Sequence, residues 1–406
     1  MKLGSVLLLL VLSCAQTVVA QVPCRSFEYQ QSQVKQNPSL NAAIQSVEKF
    51  TQQHNGSLIA KGQSSVIRIP VVVHVLYHTP DQKISDKVVY DQLDILNKCF
   101  RHLNSDTVNI PSTFKALAAD CEIEFQLATS DPKQRNTTGI VKKYTPITKW
   151  INDDKMKFSA DMGDDEWDPN SYLNIWVCAL DNFAGYSSVV GGPADVDGVV
   201  IGFPAFGAGN KTAVHEIGHW LNLKHLWGDD YCGDDGVDDT PKQASFTIGC
   251  PSGVRITCGN APTGDMYMNY MDFTNDACMH LFSLGQKARM RALFLPGGPR
   301  YALLSSTGLN PPLIYESPLP EDDPKWLEPK IFPNPATNEV DIDLSYDTRW
   351  IGQVIQITNL QGQTLMLVTI TSKLQKIDIS RLPAGIYFLA AKKQDGVSMK
   401  QKFIKL

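Results

Sequence analysis

The chain has 406 residues, a net charge of −5 at pH 7, and 43% hydrophobic and 19% charged residues. This length suggests two or three domains with a sizeable core. The acidic balance provides no basic surface for nucleic acid, and the composition is that of an ordinary soluble globular protein. After the N-terminal leader no stretch is long and apolar enough to cross a bilayer. We therefore predict no nucleic-acid partner and no transmembrane segment.

Residues 1–20 have the pattern of a secretory signal peptide. An apolar run extends from Val6 to Leu12 behind a basic residue, and V-V-A ends at Ala20. An alternative is a lipoprotein cleavage site at Cys14, in V-L-S-C. The leader predicts a protein that is secreted or attached to the outer-membrane surface. In that oxidising environment the eight remaining cysteines are expected to form disulfides.

Residues 21–62 are polar and rich in Gln, Asn and Ser, with a helical pattern around Leu40–Phe50. They are predicted to be a pro-segment or a flexible arm rather than part of a core.

Residues 63–305 show strand and helix patterns typical of an α+β domain, with a mixed sheet backed by helices. Alternation and β-branched runs predict strands, and apolar residues at helical spacing predict a helix. The strands are expected over Val66–Tyr77, Glu122–Ala128, Leu173–Cys178 and Val199–Phe203, and the helix over Asp86–Leu103. Histidines outside the motif described next are interpreted as structural or surface residues: His74, His78, His102 and His280.

The segment from His215 to His225 reads H-E-I-G-H-W-L-N-L-K-H. Two histidines four residues apart share one helix face, so both can reach one metal ion, and Glu216 can act as a general base. The third histidine has the spacing of the metzincins, H-E-x-x-H-x-x-G-x-x-H, which the motif resembles. Asn222 replaces the turn glycine and is the non-glycine residue best able to hold a positive φ. Three imidazoles and an open fourth position indicate catalytic Zn²⁺ bound by His215, His219 and His225. The alternative is an amphipathic helix that carries histidines by chance.

An acidic, glycine-rich loop follows at residues 228–241, G-D-D-Y-C-G-D-D-G-V-D-D-T-P. Closely spaced oxygen ligands on flexible backbone suit Ca²⁺, although the spacing is not that of an EF-hand. The candidate calcium ligands are Asp234, Asp235, Asp238 and Asp239. A solvated acidic loop is the alternative.

The second motif is M-N-Y-M-D, in which Met271 fits the Met-turn beneath the metzincin zinc ligands. Together with D-x-T-P before it and T-N-D-A-C-M after it, this motif resembles the pappalysin-type metzincins (the cytophagalysin/ulilysin-like peptidases) over residues 66–300. Many metzincins have a metal-contacting tyrosine two residues after the methionine. This chain has Phe273 there, so that switch is absent.

The resemblance implies two disulfides and one specificity residue. In the family, four cysteines after the zinc motif pair first with third and second with fourth, which here gives Cys232–Cys258 and Cys250–Cys278. A third bridge, Cys99–Cys121, is a further expectation. Asp276 matches the family position at the floor of the primed-side pocket, where a carboxylate would pair with Arg or Lys after the cut bond. The alternative is an exposed turn aspartate.

Cys24 and Cys178 remain after these pairings. Cys178 ends a strand pattern that is expected to be buried, whereas Cys24 lies in the polar pro-segment and is free to reach the cleft. A thiolate is a strong zinc ligand, and some pappalysin-type zymogens use a pro-segment cysteine as a switch. The local P-C-R-S-F does not match the P-R-C-G switch of matrix metalloproteases. Cys24 is therefore predicted as a zymogen switch, with a Cys24–Cys178 disulfide or an idle thiol as alternatives.

Residues 306–328 are rich in Pro and acidic residues and are predicted to be a linker. Residues 329–406 carry short alternating strands with Gly turns, which predict a small all-β sandwich. P-N-P, L-P-A-G-I-Y and a Lys-flanked last strand resemble the C-terminal sorting domain of the type IX secretion system, and this implies the secretion machinery as a partner. The alternative is a carbohydrate- or protein-binding β-module.

Together these features predict a secreted zinc endopeptidase that hydrolyses peptide bonds of extracellular proteins, with Glu216 as general base and acid. The substrate is expected to lie extended along an edge strand near Val199–Phe203. The alternative function is a non-catalytic, zinc-stabilised surface adhesin or binding protein. Glu216 separates the two, because a purely structural metal site gains nothing from a carboxylate that does not bind the metal.

Overall fold

The computed structural model describes five stretches of the chain: residues 24–54, 65–316, 329–344, 350–392 and 398–406. The predicted signal peptide lies outside the described residues, as do part of the predicted pro-segment and part of the predicted linker. Among the helices of the described stretches, none is long and apolar enough to cross a membrane.

The N-terminal stretch folds into two helices, α1 (Ser26–Gln36) and α2 (Leu40–His54). The expectation of a flexible arm is wrong for these residues. Most side chains of α1 and α2 are polar, but Tyr29, Leu40 and Val47 are buried and supply the contact with the next domain. The polar composition reflects the solvent-facing sides of both helices rather than a lack of structure.

The domain of residues 65–316 is built on a six-stranded mixed sheet. Its strands are β1 (Ile67–Tyr77), β2 (Ile123–Leu127), β3 (Ile140–Tyr144), β4 (Leu173–Cys178), β5 (Gly185–Ser187) and β6 (Val199–Gly202). Their order is β2-β1-β4-β6-β5, and β3 pairs with the second half of β1. All pairings are parallel except the last, in which β5 runs antiparallel to β6. The predicted α+β arrangement is confirmed.

Four further helices belong to this domain: α3 (Asp86–Phe100), α4 (Ser112–Lys115), α5 (Thr212–Trp220) and α6 (Leu284–Ala292). The apolar face of α3 is buried in the same core as β1 and α5, as its helical spacing predicts. Ser283 caps α6 in a capping box with Gln286. The core therefore holds α5 against one face of the sheet.

The edge of the sheet differs from the prediction. We expected Val199–Phe203 to be the edge strand, but β6 lies between β4 and β5. The edge is β5, which has three residues and no alternating pattern long enough to detect in the sequence. The strand at this edge of the sheet is therefore Gly185–Ser187 rather than β6.

Two disulfides lie in the described residues, and both match the predicted pairing. Cys232–Cys258 and Cys250–Cys278 each have a Cα–Cα separation of 5.7 Å. The predicted Cys99–Cys121 bridge is wrong, because both residues are free thiols buried in the hydrophobic core. A buried thiol behaves as a small hydrophobe, so apolar packing accounts for these two cysteines without a bond.

The start of the predicted linker belongs to the domain with the six-stranded sheet. Gly308 accepts backbone hydrogen bonds from Thr129 and Ser130, and Ile314 accepts one from Asn136. Residues 306–316 are therefore held by the loop that follows β2.

The C-terminal region forms two facing antiparallel sheets around a core of its own. One sheet has the order β10-β9-β12-β13 and the other β11-β8-β7. The strands are β7 (Lys330–Phe332), β8 (Glu339–Asp343), β9 (Val354–Thr358), β10 (Thr364–Thr369), β11 (Leu374–Asp378), β12 (Gly385–Lys392) and β13 (Ser398–Lys405). The predicted all-β sandwich is confirmed.

Candidate metal centre and active site

The helix α5 and the turn after it bring three histidines together. His215 and His219 lie one turn apart on α5, and the helix ends at Trp220. Asn222 then adopts a φ of +66°, as predicted, and the chain turns back so that His225 joins the other two. The three Nε2 atoms lie 3.1 to 3.3 Å from one another.

The second nitrogen of each imidazole is held by the protein. Nδ1 of His215 lies 2.7 Å from the Tyr270 carbonyl oxygen, and Nδ1 of His219 lies 2.8 Å from that of Leu223. Nδ1 of His225 is bonded to the Asp229 carboxylate. Because each Nδ1–H has an acceptor, every Nε2 carries a free lone pair.

Burial favours the neutral form of two of the imidazoles, His215 and His219. It lowers the pKa of His219 to about 3 and the pKa of His215 well below its usual value, with a further contribution from the neighbouring histidines. Three Nε2 lone pairs at such short range repel one another unless a cation lies between them. The donor set therefore fits Zn²⁺, which prefers imidazole nitrogen and a tetrahedral arrangement.

Glu216 lies next to this centre and is fully buried. Its Oε2 accepts hydrogen bonds from the protein, whereas Oε1 is buried without a hydrogen-bond partner. Burial raises the pKa of Glu216 to about 7, although the hydrogen bonds from Cys24 and Ser26 act in the opposite direction. A carboxyl group with this pKa can both accept and return a proton near neutral pH.

The floor of the centre is apolar. Met271 is fully buried, and its sulfur lies 2.5 Å from the point where a Cβ on Gly218 would stand. The Met-turn residue therefore packs directly under α5. Phe273 contacts the rings of His215 and His225, with centroid distances of 5.5 and 4.9 Å. It supplies packing where a tyrosine would supply a hydroxyl group.

Cys24 reaches the metal centre from the N-terminal segment. Its sulfur and the three histidines form the one potential metal cluster among the described residues, with ligand atoms within 4.8 Å of one another. The thiol also lies 3.3 Å from Glu216 Oε2. Both Cys24 and Cys178 are free thiols, so the alternative of a disulfide between them is wrong.

Asp276 lies in a cleft of about 630 Å³ beside the active site. The lining includes Phe183 and Ala184 just before β5, and Gly202 and Phe203 at the end of β6. One oxygen of Asp276 accepts a 2.9 Å hydrogen bond from the Lys211 backbone N–H. Burial raises its pKa, while Lys211 acts to lower it. The residue is thus partly buried in a cleft, rather than on an exposed turn.

The candidate calcium ligands are mostly engaged in local structure. Asp235 is buried, with its oxygens 2.8 and 2.9 Å from the Thr240 hydroxyl, and burial raises its pKa to about 7. Asp239 accepts hydrogen bonds from Ser283 Oγ and Gly285 N at the start of α6. Two carboxylates, Asp234 and Asp238, line a surface pocket with Asp239.

Sequence reasoning missed two polar residues of this site. Asp229 orients His225. Its position four residues after that histidine could have identified it as the partner of the imidazole. Ser26 donates a 2.8 Å hydrogen bond to Glu216 Oε2 and accepts one of 2.8 Å from Ser187 N. Nothing in the local sequence distinguishes Ser26 from other serines of the N-terminal segment, because its role depends on a contact 190 residues away.

Two family models match parts of the chain. Residues 204–294 match the family described as pregnancy-associated plasma protein-A, and residues 330–406 match the secretion system C-terminal sorting domain. These ranges contain the metal centre with its Met-turn and the all-β sandwich, respectively.

Curated relatives are extracellular metalloproteases of fungi. One from Verticillium alfalfae is 31% identical over 261 residues, which is 59% of this chain and 79% of the relative. One from Pyricularia oryzae is 51% identical over 85 residues, and that match spans only 30% of the relative's length.

Solved structures of mirolysin share the fold. Mature mirolysin of Tannerella forsythia in complex with a cleaved peptide is 43% identical, with a TM-score of 0.58 over 59% of this chain and 96% of that chain. A promirolysin mutant from the same organism is 38% identical, with a TM-score of 0.64 over 70% of this chain and 97% of that chain. These matches and the metal centre agree: the chain belongs to the pappalysin-type family of secreted zinc metallopeptidases and carries a C-terminal secretion sorting domain.

Proposed function

We propose that the active site hydrolyses peptide bonds with His215, His219 and His225 as metal ligands and Glu216 as general base and acid. A zinc ion held by the three histidines would polarise the scissile carbonyl and lower the pKa of the attacking water. Glu216 takes the proton of that water and passes it to the leaving amine. The observation that carries this proposal is the convergence of three oriented Nε2 atoms beside a buried carboxylate with a free oxygen.

A Glu216→Gln variant tests the catalytic assignment. The amide keeps the size of the side chain but cannot accept the proton, so casein digestion should be lost while zinc is still bound. Equal digestion by the variant and the wild type would contradict the proposal and favour the surface adhesin.

The ligand assignment is tested by metal content. We expect one equivalent of zinc, and loss of activity when a chelator removes it. His225→Ala should lose most of the zinc affinity. The matched control is His280→Ala, since His280 is also buried but bonds to Asp106 away from the cluster. Similar loss of zinc in both variants would contradict the assignment.

We further propose that residues 21–62 are a pro-segment and that Cys24 keeps the precursor latent. The support is its position: the sulfur lies within ligand distance of the three-histidine cluster and against Glu216. A Cys24 thiolate in the fourth position excludes the water that Glu216 needs. Cys24→Ala should yield a precursor that processes itself or is active without added protease. A variant as inert as the wild type would show that another feature maintains latency.

For specificity we propose that Asp276 selects Arg or Lys directly after the cut bond. Its carboxylate lies in the cleft next to β5, where a basic side chain would gain an ion pair and an apolar one would leave a charge unpaired. Cleavage profiling with a proteome-derived peptide library provides the test. Cuts mainly before Leu or Phe would rule Asp276 out as the selector, and Asp276→Asn should reduce the preference for basic residues.

Calcium binding by the acidic loop stays a prediction. Asp238 lines the surface pocket, whereas Asp234, Asp235 and Asp239 already accept hydrogen bonds within the local fold. Thermal unfolding after chelation, with and without added Ca²⁺, decides the matter. If added Ca²⁺ leaves the melting temperature unchanged, the prediction of a stabilising calcium site is wrong.

A further inference from the structure

Tyr29 of α1 is seated in a socket that the catalytic domain provides. We define the Tyr29 socket by Asp154, Lys157 and Tyr186. The Tyr29 hydroxyl donates a 2.6 Å hydrogen bond to Asp154 Oδ2, and its ring centroid lies 4.8 Å from that of Tyr186. Lys157 Nζ lies 5.7 Å from the centre of the Tyr29 ring. Only 1% of Tyr29 is exposed, so the fit is close.

The socket is held together without Tyr29. Asp154 Oδ1 lies 2.8 Å from Lys157 Nζ and accepts a 3.0 Å hydrogen bond from the Tyr186 hydroxyl. Lys157 also donates to the Val196 carbonyl at 2.7 Å. The N-terminal segment supplies the donor for Oδ2. The contacts of Asp154 Oδ1 and Lys157 do not depend on that segment, whereas Asp154 Oδ2 loses its protein donor when the segment leaves.

The position of the socket relative to the active site follows from β5. Gly185 faces the catalytic residue, because a Cβ added there would stand 3.1 Å from Glu216 Cγ. Side chains alternate along a strand, so Tyr186 points to the opposite face of the sheet. The socket and Glu216 therefore lie on opposite sides of the edge strand β5.

The N-terminal segment shows on which side of the cleft the socket lies. Arg25 N donates to the Gly185 carbonyl at 3.0 Å, and Ser26 then bonds to Ser187 N. From Cys24 onward the segment thus runs along β5 towards the C-terminal end of that strand. The cleft that contains Asp276 lies at the other end, beside residues 183 and 184. The socket and the Asp276 cleft flank the metal centre from opposite sides.

We propose that the Tyr29 socket is a substrate subsite of the processed peptidase, and that it selects a tyrosine side chain on the side of the cut bond away from Asp276. This proposal rests on the proposed function. Tyr29 occupies the subsite in the precursor, and a substrate tyrosine replaces it after processing. Phenylalanine would leave Asp154 Oδ2 unpaired. Asp154 is already paired with Lys157, so a basic side chain would bring a second cation to one carboxylate, and an acidic side chain would be repelled by Asp154.

A binding experiment tests the socket without catalysis. The probe is a labelled peptide of residues 26–36, which contains Tyr29 but not Cys24, and its binding to the processed protein is measured by fluorescence polarisation. A hydrogen bond to a buried carboxylate predicts that the Tyr29→Phe peptide binds about tenfold more weakly, or worse. Equal binding of the two peptides overturns the proposal.

Two protein variants locate the effect. Asp154→Asn should weaken the discrimination between the Tyr and Phe peptides, because an amide accepts the phenol hydrogen bond less strongly than a carboxylate. Tyr172→Phe is the matched control: it removes a buried hydroxyl that bonds the Ser130 carbonyl outside the socket, and it should leave the discrimination intact. If Asp154→Asn does not fold, the peptide pair on the wild-type protein still decides the question.

Cleavage kinetics connect the socket to turnover. Peptides with one basic residue after the cut bond and a single Tyr moved through the preceding positions should show one position with kcat/KM raised about tenfold over Phe. Casein digestion by wild type and Glu216→Gln is measured in parallel. If casein is digested by wild type only and the Tyr series is flat, the socket proposal fails while the peptidase stands. If casein is not digested, the peptidase proposal itself fails.

Discussion

Ser26 donates a 2.8 Å hydrogen bond to Oε2 of Glu216, the residue that we assign as general base. The same hydroxyl accepts a hydrogen bond from the Ser187 backbone N–H on the edge strand. One small side chain thus engages both a catalytic carboxylate and a donor that an extended substrate would use. Together with Cys24, which lies at the metal ligands, it gives the N-terminal segment two separate contacts with the catalytic apparatus.

Latency should therefore depend on two residues. Cys24→Ala should relieve inhibition only in part, because Ser26 still occupies Glu216. The double variant Cys24→Ala/Ser26→Ala should process itself faster than either single variant. Processing is followed by gel and intact mass. Ser32→Ala is the matched control, since Ser32 is an exposed serine of the same helix. Equal rates for Cys24→Ala and the double variant would show that Ser26 contributes nothing.

Acid should loosen the N-terminal segment. Burial alone would raise the pKa of Glu48, but hydrogen bonds and charge from Arg289, which is 1% exposed, bring it below the usual 4.5. A lowered folded-state pKa adds stability above the unfolded value, and this is lost as pH falls through the folded one. The melting temperature of the precursor should thus fall with pH below about 4.5 more steeply in wild type than in Glu48→Gln.

The stability of Glu48→Gln at neutral pH distinguishes the loss of this ion pair from acid unfolding of the whole protein. Glu48→Gln should destabilise the precursor by about 1.5–3 kcal/mol there, because Arg289 keeps its charge but loses its partner. Parallel pH profiles for wild type and variant would contradict a role for Glu48.

Asn222 should serve two functions that can be separated. Its φ of +66° suits Gly or Asn, and its side-chain amide donates a 3.1 Å hydrogen bond to Thr51 Oγ1 of α2. Asn222→Gly should keep zinc affinity but weaken the hold on the N-terminal segment. Asn222→Ala should in addition strain the turn by about 1–2 kcal/mol and lower zinc affinity. Zinc titration and processing rate measure the two effects. Equal zinc affinity for Gly and Ala would mean that the turn tolerates alanine.

The sequence allowed prediction of the metal centre because its signals are local. The spacing of the three histidines and the special residue at Asn222 lie within eleven positions, and the helix and turn follow from them. The long strands were also predictable, since β1 and β4 bury nearly every residue. Their bounds differ from the prediction by at most one residue.

What sequence reasoning did not predict depends on contacts between distant segments. The edge strand β5 has only three residues, and its pairing with β6 defines it. The packing of α1 rests on Tyr29 reaching Asp154, 125 residues away. Cys99 and Cys121 illustrate the opposite error, since the predicted bridge between them is absent and both are free, buried thiols. Their environment is apolar, and core packing is sufficient.

Gly218 should be required for the packing of α5 on the Met-turn. Alanine normally favours a helix by about 1 kcal/mol over glycine. Here a Cβ would stand 2.5 Å from the sulfur of Met271, which is fully buried and cannot move into solvent. Overpacking of this kind costs about 1–3 kcal/mol, so Gly218→Ala should lower the melting temperature and weaken zinc binding.

Three further variants make the Gly218 experiment specific: Gly385→Ala, Met271→Ala and the double variant Gly218→Ala/Met271→Ala. Gly385→Ala in β12 is the control, because its Cβ would meet its nearest neighbour at an ordinary 3.7 Å, and it should be neutral or slightly stabilising. Adding Met271→Ala to Gly218→Ala makes room for the methyl group, so the double variant should be more stable than the sum of the two single losses predicts. Thermal unfolding and zinc titration of the wild type, Gly218→Ala, Met271→Ala and the double variant measure the coupling between the two positions. If the losses add, or if Gly218→Ala alone raises the melting temperature, the close contact does not constrain position 218.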